Sequence, residues 1–342
     1  MRMRSTLVDT LKILASQLIV LHHLSVYSPM AKVIGERSPT WLAVLHDEGR
    51  LAVQCFLVIA GFLAAQATLR GRRLSLPRAL WVRYLRLAPQ FAVSLLVLLM
   101  VMSWASAFYQ PDWMSQKPTV WEFMAHVLML QGVLQVPALS AGAWYVAIDF
   151  QLYASFAVLL WLMPHRASHD PCPWAIGSVA ALTAASWWGF NRVSALDVWA
   201  LYFWGAYGLG VLAAWGRKSL WARGLLILLL LMLLIDASMS FRVRPVLAGV
   251  VAWALWAFGE SENLPVKLRA AWRNLSDASY AIFVVHFPVI LGFSAAWFRH
   301  ASHSLAWAWT FFGMAWLASM VLGMALNRWV KTPPNWTGAA RG

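Results

Sequence analysis

Long apolar runs, separated by short polar and basic stretches, recur along the whole chain. Ten of them are near the roughly 20 residues that an α-helix needs to cross a bilayer. They cover residues 8–26, 51–69, 88–108, 143–163, 174–190, 197–215, 220–237, 243–259, 277–299 and 305–328. A shorter apolar stretch at 120–135 predicts a re-entrant or interfacial helix, unless it forms an additional span. The pattern predicts an all-α, polytopic membrane protein with about ten transmembrane helices around a polar passage.

Composition agrees with this class, since 61% of the residues are hydrophobic and only 12% are charged. The net charge of +14 falls in loops between the apolar runs, which favours membrane topology over nucleic-acid binding. Most Lys and Arg residues lie on the inner side if the N-terminus is cytoplasmic, so both termini are predicted to be cytoplasmic. Cys55 and Cys172 suggest neither a disulfide framework nor a metal site. No polar segment is long enough for a separate soluble domain, so residues 1–342 are predicted to form a single domain.

The first apolar run carries Asp9, Lys12, His22 and His23, which are costly inside a membrane. These groups interrupt the run, so we expect it to be retained rather than cleaved as a signal peptide. On an α-helix Lys12 and His23 are offset by roughly 20° and lie about 16 Å apart along the axis, whereas His22 points roughly 80° away from their face. Two interpretations stay open. Either Lys12 and His23 line a polar cavity, or Lys12 snorkels to the cytoplasmic interface and His23 caps the outer end.

The most basic loop follows the second span, between residues 69 and 89. Arg83 and Arg86 are three residues apart, so they share a helix face at the membrane edge. Guanidinium groups bind phosphates through paired hydrogen bonds, which suits this pair to a phosphorylated cytoplasmic ligand. For Arg70, Arg72 and Arg73 a topogenic role beside anionic lipid is favoured over phosphate binding.

The fourth span begins near Trp144 and carries Asp149 and Tyr153 on one helix face. Asp149 is expected about two turns below the outer surface, near the depth of His23 if the two helices are neighbours. Its carboxylate could then orient an imidazole or bind a hydroxyl group. The alternative is a solvated side chain in a water-filled external vestibule.

The ninth span begins at Ser276-Asp277, and either residue is suited to cap the helix. His286 lies near mid-membrane, and Pro288 frees a backbone carbonyl beside it. His286 is interpreted either as a passage residue or as an ordinary interhelical hydrogen-bonder.

Five separated blocks of the sequence resemble the motifs of the acyltransferase 3 family of integral membrane acyltransferases. The first is Val8-Asp9-Thr10-Leu11-Lys12 with His23 eleven residues after Lys12, similar to a Leu-Asp-Gly-Leu-Arg segment and its following His. The other blocks cover residues 56–62, 82–89, 144–153 and 279–288. They are similar to a Ser-Gly-Phe segment, an Arg-Arg-x-x-Arg-Ile-x-Pro segment, a Trp-Ser-Leu-Ser-Val-Glu-Glu-Gln-Phe-Tyr segment and a Ser-Tyr-x-x-Tyr-x-x-His-x-Pro segment. Their order and spacing cover nearly the whole chain.

The resemblance implies transfer of an acyl group, acetyl by expectation, from cytoplasmic acyl-CoA to a hydroxyl of a saccharide or lipid-linked sugar in the bacterial inner membrane. Acyl-CoA is then a co-substrate, and no bound cofactor or metal is expected. The implied roles are catalysis for His23 as general base with Lys12 and Asp9, and donor binding for Arg83 and Arg86. The residues implied to line the passage or to meet the acceptor are Asp149, Tyr153, Trp144, His286 and Ser279.

The sequence departs from the family pattern at several positions: Lys12 replaces an Arg, Val82 replaces the first Arg of its block, and Ala60 replaces a Ser. Direct transfer and an acyl-His intermediate are both open. A transporter or flippase without covalent chemistry is the alternative function, because it needs a similar polar passage. No matching pair of Gly/Pro-broken helices supports it. A third alternative is a catalytically inactive binding subunit, which the presence of both Lys12 and His23 disfavours.

Overall fold

The computed structural model describes residues 5–69, 75–114, 118–163, 171–259, 265–299 and 304–330. This part of the chain is helical and contains no β-strand. Its helices are α1 (Thr6–Tyr27), α2 (Pro29–Gly35), α3 (Pro39–Glu48), α4 (Ala52–Thr68), α5 (Leu76–Ala105), α6 (Val120–Val127), α7 (Ala143–Leu162), α8 (Pro173–Trp188), α9 (Ala200–Trp215), α10 (Leu220–Met239), α11 (Val243–Phe258), α12 (Val266–Arg299) and α13 (Leu305–Trp329). Arg70, Arg72 and Arg73 lie outside the described residues.

Each of the ten predicted spans coincides with one of these helices. A helix closes its own backbone hydrogen bonds, which a chain in lipid requires. Within the described residues, seven helical segments are long and apolar enough to cross a membrane, with α3 and α4 counted as one. Helices α9 and α11 are apolar but shorter, and α8 has 16 residues. The all-α, polytopic membrane class is therefore confirmed, whereas the count of ten stays a prediction.

Two helices extend beyond the apolar runs that predicted them. Helix α5 begins at Leu76 and α12 at Val266, because the flanking residues form helix well although they are too polar for the bilayer core. Ser276 and Asp277 consequently lie inside α12, so the expectation that one of them caps the helix is wrong.

The segment between α5 and α7 returns into the bundle instead of crossing the membrane. Helix α6 has eight residues, about 12 Å, which is too short to span the hydrocarbon layer. The ring of Tyr109 stacks on Phe298 at 5.0 Å, and a Cβ at Gly142 would lie 3.1 Å from the Phe283 ring. Phe298 and Phe283 are separated by about 22 Å of helix, so the segment runs back along α12. This path supports the re-entrant interpretation of residues 120–135.

The buried apolar residues of the described helices form one continuous cluster. At its centre α4 and α9 are in backbone contact. A Cβ at Gly61 would meet the carbonyl oxygen of Tyr207, and a Cβ at Gly210 would meet that of Val58. Small residues permit such close helix packing in membranes. Because lipid tails are as apolar as the side chains, the hydrophobic effect contributes little to helix association there.

Helices α1 and α12 pack side by side and run in the same direction. Near their beginnings Trp272 Nε1 donates to Thr10 Oγ1 at 3.0 Å, and further along both helices His23 meets His286. This parallel register brings the polar groups of the first and ninth predicted spans together.

Candidate active site

His23 on α1 and His286 on α12 form a hydrogen-bonded pair inside the bundle. His23 Nδ1 lies 2.6 Å from His286 Nε2, and the ring centroids are 4.8 Å apart with planes 10° from parallel. His286 Nδ1 lies 2.5 Å from the carbonyl oxygen of Phe283. His23 is 7% exposed and His286 is fully buried. Two bonded imidazoles at this position are candidates for proton transfer.

The neighbouring His22 faces a different part of the structure. Its Nδ1 lies 3.0 Å from the carbonyl oxygen of Leu45 in α3. The ring of Tyr27 approaches His23 edge-on, with centroids 5.5 Å apart. One imidazole of the His22-His23 pair thus contacts α3, while the other reaches α12.

Pro288 shapes α12 beside the imidazole pair. Because Pro288 has no N–H, the carbonyl oxygen of Val284 lacks its helical donor. Ser94 of α5 supplies one, since its Oγ donates to that oxygen at 2.5 Å. The carbonyl freed by Pro288 therefore ties α12 to α5 next to His286.

Asp9 and Lys12 both contact Ser276 on α12. Lys12 Nζ donates to the Ser276 carbonyl oxygen at 2.7 Å, and the Ser276 hydroxyl donates to Asp9 Oδ1 at 2.6 Å. Ser279 Oγ donates to the same carbonyl oxygen at 2.8 Å. The helical rise separates Lys12 from His23 by about 16 Å. Asp9 and Lys12 are thus brought together with α12 but not with the imidazole pair.

Arg83 on α5 and Asp149 on α7 form an ion pair with Nη2 and Oδ2 2.5 Å apart, and their side chains are 17% and 6% exposed. The Arg83 guanidinium also lies over the Tyr153 ring, 5.1 Å from its centroid. The alternative of a solvated Asp149 in an external vestibule is wrong, because the carboxylate is buried against a guanidinium. Of the two roles left open for Asp149, orienting the His23 imidazole is not what the structure shows, because Asp149 bonds Arg83 and His23 Nδ1 bonds His286.

Three tyrosines that the sequence analysis did not assign surround this ion pair. Tyr145, Tyr207 and Tyr280 all lie within electrostatic range of Arg83 and Asp149. The Tyr207 hydroxyl and Arg83 Nε are buried and make no hydrogen bond with any described residue. Tyr207 belongs to α9, a helix with no Asp, Glu, Lys, Arg or His, and its sequence signal is a tyrosine hydroxyl within a glycine-rich apolar run.

Polar groups of the site lie at different levels along α12. Tyr280, beside the ion pair, is six residues from His286, or about 9 Å along the helix, and Ser276 is one further turn away. Trp144 is 39% exposed and stacks on Phe203 with centroids 5.4 Å apart, and Arg86 is exposed on α5. An open passage that links these levels stays a prediction.

Among the described residues no group of three His, Cys, Asp or Glu side chains could hold a metal ion.

Comparison with known proteins assigns the chain to a family. Residues 6–328 match a family model described as an acyltransferase domain. No curated protein and no solved structure matches the chain. Because the matched region covers nearly all of the sequence and the described part is a multi-pass helical bundle, the chain belongs to the acyltransferase 3 family of membrane acyltransferases.

Proposed function

We propose that this membrane acyltransferase moves an acyl group, acetyl in the simplest case, from cytoplasmic acyl-CoA to a hydroxyl of a saccharide or lipid-linked sugar. The observation that carries the proposal is the buried, hydrogen-bonded imidazole of His23 in a chain whose family transfers acyl groups. The proposal places the protein in the bacterial inner membrane with both termini in the cytoplasm, where acyl-CoA is available.

His23 acts as the general base in this mechanism. Its free nitrogen removes the proton of the acceptor hydroxyl as the oxygen attacks the thioester carbonyl. The carbon–sulfur bond then breaks, and the proton passes from the imidazolium to the CoA thiolate, so the base is restored. In the alternative route His23 first carries the acyl group itself and then transfers it to the hydroxyl.

The basic residues hold the donor in this proposal. Arg86 is exposed on α5 and contacts the CoA phosphates, while Arg83, oriented by Asp149, lies deeper with Nε still available for a hydrogen bond. Lys12 lies at the Ser276 level of α12, and with Asp9 it fixes α1 against that helix. Trp144, Tyr153 and Ser279 are the remaining residues proposed to line the route or to meet the acceptor.

The decisive experiment measures release of free CoA thiol by the purified protein given acetyl-CoA and an extract of surface glycans or lipid-linked sugars. We expect His23→Ala to lower the rate by a factor of 10² to 10⁴, the usual contribution of a general base. His22→Asn is the matched control, because it removes the adjacent imidazole but keeps a donor for the Leu45 carbonyl. Its rate should stay near that of the wild type.

Two outcomes would contradict the proposal. Normal turnover by His23→Ala, in protein that elutes as the wild type does, would remove His23 as the base. Failure of the wild type to release thiol with any acceptor extract, together with movement of a sugar across proteoliposomes, would favour the transporter. Mass spectrometry of glycans from cells with and without the gene should show a difference of one acyl group.

A further inference from the structure

We propose that His286 is a positioning residue that holds His23 in the tautomer with the proton on Nδ1 and the lone pair on Nε2. The inference rests on the proposed function of His23 as the base, because it names the nitrogen that receives the acceptor's proton. It is carried by the two hydrogen bonds of His286, one to a backbone carbonyl and one to His23.

The first step fixes the proton on His286. The carbonyl oxygen of Phe283 can only accept a hydrogen bond, and it lies 2.5 Å from His286 Nδ1. Nδ1 of His286 must therefore carry a proton. In a neutral imidazole the other nitrogen, Nε2, then carries the lone pair and can only accept.

The second step carries this polarity to His23. Since His286 Nε2 accepts, His23 Nδ1 at 2.6 Å must donate, and its own proton is thereby fixed on Nδ1. The lone pair of His23 is left on Nε2, the nitrogen that points away from His286. A chain of three groups, carbonyl, imidazole and imidazole, thus sets the basic atom of the site.

The third step excludes the opposite polarity. If His286 were an imidazolium it would donate from both nitrogens, and His23 would have to carry its proton on Nε2. A buried cation of this kind needs a bonded anion, and within the described residues neither imidazole is bonded to a carboxylate. The resting pair is therefore neutral.

The bond geometry suits an orienting role. The two planes are 10° from parallel, and the centroid separation of 4.8 Å is close to the 2.6 Å bond plus the radii of both rings. The rings are thus nearly coplanar and joined end to end, so the N–H points along the acceptor's lone pair. Rotation of the His23 ring would break this bond, which locks the direction of Nε2.

Two amide substitutions distinguish a role of His286 in positioning the His23 imidazole from a role in stability of the fold alone. His286→Gln places its amide oxygen near the former Nε2 and can still accept from His23, whereas His286→Asn reaches only the former Nδ1 and keeps the bond to the Phe283 carbonyl. We expect His286→Asn to lower kcat about 100-fold with the KM for acetyl-CoA unchanged, and His286→Gln to stay within about tenfold of wild type. Equal losses in the two variants, or an intact rate in His286→Asn, would overturn the proposal.

A spectroscopic measurement decides the tautomer without any turnover. In wild-type protein with ¹⁵N-labelled histidine, reconstituted in lipid, His23 should show a protonated Nδ1, an unprotonated Nε2 and a scalar coupling to His286 Nε2. His23→Ala and His286→Gln identify these signals by their loss. A proton on His23 Nε2 would refute the inference even if the protein is active. If the tautomer is as expected but His23→Ala retains full activity, the proposed base fails while the hydrogen-bonded arrangement stands.

Discussion

Arg83 and Asp149 place opposite charges in the interior of the bundle, where the two side chains are 17% and 6% exposed. A buried ion pair gains little net stability over an apolar pair, but loss of one member leaves an uncompensated charge. Stability of the fold depends on this guanidinium, and under the proposed function binding of the donor depends on it too. Single substitutions would therefore not distinguish a loss of stability from a loss of donor binding.

A double-mutant cycle separates them. We expect Arg83→Gln and Asp149→Asn each to lower the free energy of unfolding in detergent by about 3 to 5 kcal/mol. The double variant should cost clearly less than the sum, because it removes both charges. If Arg83 also holds the donor, the double variant regains stability without regaining activity. Arg192→Gln, in a pair whose arginine is 43% exposed, is the control and should cost less than about 1 kcal/mol. Additive losses at Arg83 and Asp149 would contradict a direct coupling.

At the residue scale the sequence identifies candidates more readily than their partners. His23 and Lys12 are singled out by their cost within an apolar run and by the family resemblance. His286 lies 263 residues from His23, so their bond depends on which helices pack together, which no local pattern specifies. Ser276 illustrates the same limit, because its residue type suggests a cap while the long α12 makes it a contact for Asp9 and Lys12.

At the scale of elements, α6 and the loop after it are held by one buried imidazole. His126 is fully buried, its Nδ1 lies 2.7 Å from the Glu122 carbonyl oxygen, and its Nε2 accepts from the Leu139 N–H at 3.1 Å. This second bond exists only when Nε2 is unprotonated. Burial lowers the pKa of His126 below its ordinary value near 6.5, although the backbone bond to Glu122 and its carboxylate oppose the shift.

This contact makes the loop sensitive to acid. The folded state binds the proton of His126 less tightly than the unfolded state, so its stabilising contribution is complete above about pH 6.5 and is lost as the pH falls below that value. We expect hydrogen exchange at the Leu139 amide, corrected for its intrinsic rate, to be constant above about pH 6.5 and to accelerate as the pH falls below that value. In His126→Gln the amide oxygen accepts without titrating, and the acceleration should vanish. The same acceleration in that variant would assign the effect to another group.

The helices themselves are predictable where lipid dictates their composition and less so elsewhere. All ten apolar runs coincide with helices, because a chain in lipid must satisfy its backbone hydrogen bonds and an α-helix does so within one segment. The early starts of α5 and α12 were missed, since helix formation outside lipid depends on propensity and packing rather than on hydropathy. The backbone contact of α4 with α9 at Gly61 and Gly210 likewise follows from packing that one helix alone cannot reveal.

At the scale of the whole molecule, the helix directions bear on the number of crossings. Helices α1 and α12 run parallel, as the contacts of Trp272 with Thr10 and of His286 with His23 show. If only the seven long segments crossed the membrane, α12 would be the sixth and would run opposite to α1. The parallel direction of α1 and α12 therefore leads us to expect that an odd number of the shorter helices α8, α9 and α11 cross as well.

The packing of α9 extends this count. Trp215 Nε1 donates to Thr68 Oγ1 at 3.1 Å near the ends of both α9 and α4, so these helices are parallel. Helix α8 runs opposite to α9, because Gly205 packs on Trp187 and Gly208 on Thr183. If α9 crosses, its direction matches that of α4, the second crossing, so α9 must be an even-numbered crossing. Because α7 is the fourth crossing, α9 is then the sixth and α8 the fifth. In this arrangement α11 also crosses, which gives α12 its direction, and we therefore expect ten crossings.

Site-specific labelling tests the ten crossings directly. In a background with Cys55→Ala and Cys172→Ser, we expect Ala195→Cys, between α8 and α9, to react with an impermeant maleimide in intact cells. Lys218→Cys, between α9 and α10, should react only after permeabilisation, and Ser240→Cys, between α10 and α11, should react from outside again. These three side chains are exposed, so a lack of labelling reports sidedness rather than burial. Labelling of Ala195→Cys and Lys218→Cys from the same side would mean that α9 does not cross. The parallel packing of α9 on α4 would then not mean that both helices cross the membrane in the same direction.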